Sequence, residues 1–377
     1  MNILYLTMAP IDESSGVYKK IRAQVDAFIR HGHTCKLLFV RDTEDAYFYP
    51  GGDVEKLSMT NENHIKYISD YISNCDFCYA RFELLRHKYY KKIIDLCITR
   101  KVKVVTEIPT YPPYQESLAR VKDSFHNHKY LRALKTLAGT ALVILDMYRM
   151  TMYSKLVVMI ADDKKFRFAD TIRIENGIDL DKNPYQPKIA DDKIRIIAVS
   201  NFSVWNGYDR AITGLKQYVD NHPNPHIELI MVGGLKEGQS LIMQTEELGL
   251  SAYVTFTGAL SGKELDAAYA KADIALGALG NHRRKVFANS SLKAKEYSSR
   301  GMLMVLSDAE GIELEIKERS IIVKSDESPL DFEEIIQWYN SVLDKQETRL
   351  FIHNFAKSNY SWDAQINKVL QIVKKYD

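Results

Sequence analysis

The sequence predicts an α/β fold with two successive domains, each built around a parallel sheet. At 377 residues the chain is too long for one ordinary hydrophobic core. Short apolar strands alternate with amphipathic helices from Asn2–Met8 to Ile321–Val323. The polar segment KNPYQPK (Lys182–Lys188), which contains two prolines, separates the two alternations. We therefore expect one domain over residues 1–186 and a second over residues 187–360.

The composition is that of a soluble globular protein, with 46% hydrophobic and 27% charged residues. A net charge of +2 argues against a dedicated nucleic-acid binder. Cys75 and Cys78 form a C-x-x-C inside a predicted strand, without a second pair for zinc, so we predict reduced, structural cysteines, as in the cytosol. The start of the chain lacks the pattern of a signal peptide, and Leu137–Leu145 is too short to span a membrane.

The first alternation begins with a strand–loop–helix–strand unit over Asn2–Met8, Val17–Arg30 and Cys35–Val40. Gly16 stands where the loop meets the helix, so a phosphate could approach the backbone there, although no G-x-G-x-x-G is present. The other elements predicted for this half are helices over Asn63–Ser73 and Leu84–Arg100, and strands over Phe77–Ala80, Val102–Ile108, Leu156–Ile160 and Thr171–Glu175.

A candidate site follows the buried strand Val102–Ile108, which runs into the loop PTYPPY. Ligands of open parallel sheets bind beyond the carboxyl ends of the strands. Glu107 and Tyr111 are therefore candidates for a binding or catalytic site. The alternative is a proline-stiffened turn with the tyrosine packed over it.

The stretch Leu118–Lys155 is predicted to be helical, with basic and apolar residues interleaved. A basic amphipathic helix can lie on an anionic membrane surface. An ordinary domain helix with a solvated face is an equally good interpretation of this pattern. After it, Asp179-Leu180-Asp181 resembles a metal-binding D-x-D, but its position after the turn Asn176-Gly177 favours turn chemistry.

The second alternation leads to the stretch Asn281–Val305. It contains a cationic loop, the serine pair Ser290 and Ser291, and a helix beginning at Leu292. A serine-capped helix N-terminus suits a phosphate, and Lys293 and Glu296 share one helix face. The alternative is a capped surface helix behind a solvated basic loop. The other predicted strands are Ile194–Val199, Ile227–Val232, Val254–Thr257, Ile274–Gly277, Met302–Leu306 and Ile321–Val323, and the other predicted helices include Tyr208–Val219, Leu241–Leu248 and Lys263–Ala272.

Short motifs along the whole chain resemble those of one transferase family. They are Gly16 followed by RHGHT (Arg30–Thr34), EIPTYPPY (Glu107–Tyr114), ENGID (Glu175–Asp179), VWNGYDR (Val204–Arg210), the strand end Val232–Gly234 and SLKAKEY (Ser291–Tyr297). In this order and spacing the set resembles the GT-B glycosyltransferases of the GT4 family, most closely the bacterial enzymes of exopolysaccharide and capsule synthesis.

The resemblance implies two Rossmann-like domains that face each other across a cleft, with the C-terminal helix, residues 361–377, returning to the first domain. It implies a retaining hexosyltransferase that needs no metal or other cofactor. Glu107, Tyr111 and Lys293 are the expected catalytic residues. The residues expected at the donor are Gly16, Asn206, Arg210, Gly233, Ser290, Ser291, Leu292, Lys293 and Glu296, with Glu296 on the ribose.

The chain departs from the family pattern at three charged positions. The first of two expected glutamates falls at Ala288, and an expected arginine and lysine fall at Asn201 and Asn206. A departing diphosphate requires compensating positive charge. Lys293 is the first candidate to supply it. The next candidates are Arg210 and the cluster Arg283, Arg284 and Lys285.

The leading functional hypothesis is transfer of a sugar from a UDP- or GDP-sugar to a saccharide or lipid-linked saccharide. We expect a cytoplasmic protein with possible peripheral contact at the inner, anionic face of the cell membrane, and no nucleic-acid partner. The missing carboxylate at Ala288 leaves open a non-catalytic GT-B partner subunit that binds sugar or another transferase. A sugar-nucleotide epimerase is a third and weaker alternative.

Overall fold

The computed structural model describes residues 1–12, 15–41, 43–49, 54–111, 130–160, 162–189, 192–284 and 292–376. The chain forms two compact units: Met1–Gly177 with Trp362–Asp377, and Ile178–Ser361. The sequence placed the division at residue 186. The intervening segment belongs to the second unit because the Ile178 N–H donates to the Tyr360 carbonyl at 2.8 Å and the Gln186 N–H donates to the Arg300 carbonyl at 3.1 Å.

The first unit contains an eight-stranded sheet with the order β4-β3-β2-β1-β5-β6-β7-β8. Its strands are β1 (Asn2–Thr7), β2 (Thr34–Val40), β3 (Asp45–Tyr49), β4 (Glu55–Ser58), β5 (Phe77–Arg81), β6 (Lys103–Ile108), β7 (Leu156–Ile160) and β8 (Asp170–Ile174). The six neighbouring strands β2, β1, β5, β6, β7 and β8 are parallel, whereas β3 and β4 extend one edge as antiparallel strands. The sequence analysis missed these two short edge strands, because only alternate residues of β3 are buried and β4 is mostly polar.

Helices cover both faces of this sheet. They are α1 (Gly16–Arg30), α2 (Glu62–Ser73), α3 (Lys88–Thr99) and α4 (Tyr130–Tyr153). Ser15 caps α1 by accepting the Val17 N–H on its hydroxyl. The residues of β1 contribute alternately to the two cores, which explains why the strand is apolar throughout rather than alternating. Within the predicted stretch Leu118–Lys155, residues 118–129 lie outside the described part of the chain.

The second unit contains a parallel six-stranded sheet with the order β11-β10-β9-β12-β13-β14. Its strands are β9 (Ile194–Val199), β10 (Ile227–Val232), β11 (Val254–Gly258), β12 (Ile274–Leu276), β13 (Leu303–Ser307) and β14 (Ser320–Val323). Its helices are α5 (Tyr208–Asn221), α6 (Gln239–Glu247), α7 (Gly262–Lys271), α8 (Leu292–Ser299), α9 (Leu314–Lys317), α10 (Phe332–Ser341) and α11 (Lys345–Asn359). The predicted fold class, α/β with two parallel-sheet domains, is confirmed.

The last helix, α12 (Trp362–Val373), returns to the first unit and packs on α1. Trp362 lies against Gly177, where a built Cβ atom would come within 2.4 Å of the indole ring. Close packing against this ring therefore requires a glycine at position 177. Arg30 of α1 also pairs with Asp363 of α12 at 2.8 Å.

Three smaller predictions concern turns, cysteines and membrane crossing. Asp179 accepts the Asp181 N–H at 3.2 Å, as expected for turn chemistry. All four cysteines are buried and free of disulfides. In the described part of the chain, no helix is both long and apolar enough to cross a membrane.

We expect Gly177→Ala to destabilise the protein by about 1–3 kcal/mol, because the added methyl group collides with the Trp362 ring. Gly139→Ala in α4 is the matched control: nothing lies within 4 Å of its built Cβ, and alanine there should stabilise by about 0.5–1 kcal/mol. Denaturant unfolding of both variants measures these changes. Equal stability of Gly177→Ala and wild type would contradict the packing described here.

Candidate functional site

The candidate site of the second unit lies where its parallel strands end. Strands β9, β10, β12 and β13 all lead into loops at the same edge of the sheet. Parallel α/β sheets bind their ligands at this carboxyl edge. Of the donor residues that the sequence predicts, Asn206 and Gly233 lie in these loops, and Leu292, Lys293 and Glu296 lie on α8.

Two of these loops approach each other through a pair of glycines. Gly207 has a φ of +67°, a left-handed conformation that strongly favours glycine. A Cβ atom there would come within 2.7 Å of the Gly280 nitrogen. The close approach allows the Leu279 N–H to donate to the Asn206 carbonyl at 2.9 Å and the Gly280 N–H to the Trp205 carbonyl at 3.2 Å.

This arrangement brings two predicted donor residues, Asn206 and Lys293, into contact. The Lys293 ammonium donates to Oδ1 of Asn206 and lies 5.5 Å from the centre of the Tyr208 ring. Asn206 is buried, and its amide nitrogen donates to the Ser200 hydroxyl at 3.2 Å. The asparagine therefore holds the lysine charge at the carboxyl edge without neutralising it.

Glu296 lies one turn after Lys293 on the same face of α8. Burial raises the pKa of its carboxyl group, and the charges of Arg300 and Lys293 oppose this shift only in part. Among the described residues, hydrogen bonds of Glu296 are made by its backbone carbonyl, to the Ser299 hydroxyl and the Arg300 N–H. A half-buried carboxylate in this position can accept hydrogen bonds from ligand hydroxyls.

Gly233 packs rather than presenting its backbone to a ligand. Its N–H donates to the Gly258 carbonyl at 3.0 Å, and a Cβ atom there would lie 2.1 Å from the Ser200 carbonyl oxygen. The glycine allows the loops after β9 and β10 to pack together. Its predicted role at the donor is therefore indirect.

Arg210, whose role at the diphosphate stays a prediction, is engaged by other parts of the protein. Arg210 is buried, and its guanidinium donates to the Leu279 and Ser328 carbonyls, each at 2.6 Å, and to the Lys324 carbonyl at 3.0 Å. These carbonyls belong to two loops, one after β12 and one after β14, and Asp326 of the second loop also pairs with Arg210 at 3.2 Å. Arg210 therefore holds the two loops together.

Arg283 in the cationic loop is likewise paired within the protein. It contacts Asp209 at 2.7 Å and also pairs with Glu327, which His282 contacts at 2.6 Å. Hydrogen bonds that Arg283 donates to Asp209 and Glu327 raise the pKa of Arg283, and the hydrogen bonds that Glu327 shares with Arg283 and His282 lower the pKa of Glu327 to about 2. Arg283 therefore stabilises the loop, and its role as one of the later candidates for the diphosphate stays a prediction.

The remaining donor-side predictions concern the start of α8 and of α1. Leu292 begins α8 and is half exposed. Gly16 is the first residue of α1, and nothing lies within 4 Å of its built Cβ atom, so no close contact within the protein requires glycine. Ser290, Ser291, Ala288, Lys285 and the Arg284 side chain lie outside the described residues.

In the first unit, Glu107 is fully buried at the end of β6. Its Oε1 accepts Arg81 Nη1 at 2.7 Å and lies 3.6 Å from Lys20 Nζ, while its Oε2 accepts Gln24 at 2.6 Å and the Tyr79 hydroxyl at 2.9 Å. Burial alone would raise the pKa of Glu107, but the two cations and these hydrogen bonds lower it. Glu107 holds Lys20 and Arg81 at the end of β6, and its predicted catalytic role stays a prediction.

The sequence analysis missed both cations. Arg81 is the residue opposite Glu107 in the β5–β6 pair, so a register drawn between the two predicted strands could have found it. Lys20 lies on α1 and its approach depends on tertiary packing. Tyr111 packs edge-on against Phe166 at 6.3 Å, which fits the alternative of a tyrosine packed over the turn.

The chain is similar to known glycosyltransferases. Residues 179–359 match the family model "Glycosyl transferases group 1". The match supports a glycosyltransferase. A comparison with curated protein sequences gives no match.

Solved structures share the fold across the whole chain at low sequence identity. A glycosyltransferase from Rickettsia africae is 13% identical with a TM-score of 0.61, covering 99% of this chain and 98% of that one. Anabaena HepE in complex with UDP is 14% identical with a TM-score of 0.60, and both chains are covered completely. Starch synthase IV from Arabidopsis thaliana, bound to ADP and acarbose, is 10% identical with a TM-score of 0.57, covering 99% of this chain and 98% of that one. The fold is that of the GT-B glycosyltransferases.

The described residues contain no group of three or more histidine, cysteine, aspartate or glutamate side chains arranged to hold a metal ion. Asp179 is already engaged in its turn and with Lys182 at 2.9 Å.

We expect Glu107→Gln to destabilise the protein by about 3–5 kcal/mol at neutral pH, because Lys20 and Arg81 lose a buried counter-charge. The folded-state pKa of Glu107 lies below its unfolded value, so its contribution is complete above about pH 4.5 and is lost as the pH falls through the folded value. The stability difference between wild type and variant should therefore shrink in acid.

Denaturant unfolding between pH 7 and pH 3 provides the measurement. Exposed Glu55→Gln on β4 is the control and should change stability by less than about 0.5 kcal/mol at every pH. A Glu107→Gln variant as stable as Glu55→Gln at pH 7 would refute the structural role of this carboxylate.

Proposed function

We propose that the protein is a retaining, metal-independent hexosyltransferase of the GT4 type that uses a UDP- or GDP-sugar. The acceptor would be a saccharide or lipid-linked saccharide in exopolysaccharide synthesis. The observation that carries this proposal is the contact of Lys293 with Asn206 at the carboxyl edge of the second sheet, with Glu296 one turn further on α8.

The proposed reaction exchanges one bond at the anomeric carbon. The bond from this carbon to the phosphate oxygen breaks, and the acceptor hydroxyl oxygen takes its place. The products are the glycoside, the nucleoside diphosphate and a proton. Negative charge grows on the departing diphosphate, so a preorganised cation beside it lowers the barrier.

Lys293 supplies that cation in place of the one missing at Asn206. If residue 206 were the expected lysine, its amine would lie near the position that the Asn206 amide occupies. The Lys293 ammonium reaches this amide from α8. The positive charge is thus restored at the same place from a different element of the chain.

Glu296 would accept hydrogen bonds from the ribose hydroxyls of the nucleotide. Its raised pKa shows that burial makes the charged form costly without a ligand. Hydroxyl donors would stabilise that charge on binding. Anabaena HepE is described in complexes with UDP and with UDP-glucose, the latter at 14% identity and a TM-score of 0.53, which supports a uridine nucleotide as the first donor to test.

An anionic acceptor is supported by the carboxyl edge of the first sheet. Lys20 and Arg81 both pair with Glu107, so two positive charges face its one negative charge. Both cations are only slightly exposed, which strengthens their field. A lipid-linked saccharide with a phosphate group would complement this charge.

Peripheral membrane contact is supported by α4. Five apolar side chains at helical spacing on its surface are exposed by more than two fifths: Leu131, Leu134, Leu142, Leu145 and Met152. The exposed cations Lys135 and Arg149 lie on the same stripe. An apolar stripe with cations suits the interface of an anionic membrane.

A non-catalytic partner subunit remains the second candidate, because the sequence has Ala288 in place of the expected carboxylate. Such a subunit would keep the fold and the nucleotide contact but would not turn over a donor. Measuring binding and turnover in the same preparation separates the two.

We expect the protein to bind UDP or GDP. In a panel of UDP- and GDP-sugars, one nucleotide-sugar should be turned over, with release of its nucleoside diphosphate. Lys293→Ala should weaken binding about 10- to 100-fold, as expected for one charge-assisted phosphate contact. Exposed Lys357→Ala on α11 is the control and should leave affinity unchanged. Calorimetry and nucleotide release provide the measurements.

Glu296→Gln separates binding from stability in the same experiment. Because the folded-state pKa of Glu296 is raised, its charge costs stability at neutral pH, and the variant should be at least as stable as wild type. It should nevertheless bind nucleotide more weakly. Unchanged binding by both Lys293→Ala and Glu296→Gln would remove the proposed site, whereas binding without turnover of any donor would favour the partner subunit.

Vesicle flotation tests the membrane contact. Wild type should float with anionic phosphatidylglycerol vesicles at low salt and less at high salt, because salt screens the cations. The double variant Leu131→Glu/Leu134→Glu should lose this binding, while Leu350→Glu on α11, a residue of similar exposure, should retain it. Failure of wild type to float under either condition would exclude the contact.

A further inference from the structure

A second cavity lies in the second unit at the opposite, amino edge of its sheet. It has a volume of about 250 Å³ and is bounded by the segment before β9, the starts of β12 and β13, and helices α10 and α11. The residues that line it include Tyr185, Lys188, Asp273, Tyr339, Lys345 and Arg349. It shares no residue with the candidate donor site.

The cavity contains an excess of positive charge. Lys188, Lys345 and Arg349 line it together with one carboxylate, Asp273. Asp273 is satisfied within the protein: it accepts the Tyr339 hydroxyl at 2.6 Å and pairs with Lys188 at 2.9 Å. Lys345 and Arg349 therefore add two positive charges that this carboxylate does not neutralise.

Arg349 is the anchoring side chain. It is buried at 4% exposure, and its terminal nitrogens donate to the Gln186 carbonyl at 2.8 Å and the Ala272 carbonyl at 3.3 Å. Its Nε–H has no acceptor among the described residues. A buried donor without an acceptor is costly, and a ligand oxygen would remove that cost.

The other walls suit a small ring. Tyr185, Leu303 and Tyr339 contribute aromatic and apolar surface beside the cations. Lys345 Nζ lies 4.7 Å from the centre of the Tyr339 ring and 3.2 Å from the Val342 carbonyl, which leaves ammonium protons for a ligand. A phosphate between Lys345 and Arg349, with a sugar-sized ring against the tyrosines, would fill the volume.

We propose that this cavity is a binding site for a small phosphorylated metabolite such as a sugar phosphate, distinct from the nucleotide site. Its walls include both connections of the second unit. The segment at Tyr185–Lys188 follows the entry of the chain at Ile178, and α11 precedes its exit at Ser361. An occupant would hold these two connections together.

Calorimetry with ribose 5-phosphate, in the presence of saturating UDP, tests the proposal on the full chain. We expect one site per chain whose affinity is unaffected by UDP and by Lys293→Ala. Lys345→Glu should weaken binding by at least about tenfold, because it reverses one of the phosphate-binding charges. The substitution falls at the first position of α11, where an acidic residue favours the helix, so misfolding would not explain a loss.

Lys345→Gln, which leaves the Lys188–Asp273 pair intact, should also weaken binding, with wild-type thermal stability as its check. Citrate serves as a second probe. Tighter binding of citrate than of ribose 5-phosphate would overturn the assignment to phosphorylated ligands. The absence of heat with ribose 5-phosphate, displacement by UDP, or wild-type affinity in Lys345→Glu would each overturn the site.

Discussion

The arrangement of loops at the carboxyl edge of the second sheet depends on one backbone contact, between Gly207 and Gly280. No side chain fits between them, and the left-handed conformation of Gly207 turns the chain directly into α5. The contact allows the loop after β12 to donate to the Asn206 and Trp205 carbonyls. Asn206 is thereby buried with its amide oxygen turned to Lys293, so the position of the lysine charge follows from a contact between two glycines.

Charged side chains near the two carboxyl edges divide into those that build the edge and those that can serve a ligand. Arg210 and Arg283 use backbone and carboxylate oxygens of neighbouring segments, and Glu107 accepts from three side chains and pairs with Lys20. Buried ions require such partners because desolvation is costly. Lys293 and Glu296 differ, because a neutral amide holds the lysine and burial raises the pKa of the glutamate.

The second sheet places different chemistry at its two edges. The carboxyl edge combines one lysine, one carboxylate and loop backbone, as expected for a nucleotide. The amino edge has a cavity lined by two tyrosines and an excess of cations. Because the strands are parallel and the sheet is buried on both faces, the two edges are the places in this unit where loops can form separate sites.

The sequence by itself determined the α/β class, the two alternations and the stretch that contains Lys293 and Glu296, because apolar periodicity and helix spacing are local properties. It also marked Asn206, although only the tertiary structure brought that residue to Lys293. The position at a strand end suggested Glu107 and the family resemblance suggested Arg210, but free charges and buried ion pairs look alike in a sequence. Arg210 contacts the Leu279 carbonyl, which is 69 residues away along the chain, and Glu107 contacts Gln24, which is 83 residues away. Only packing decides which charges are consumed by the fold, because that depends on long-range contacts and burial.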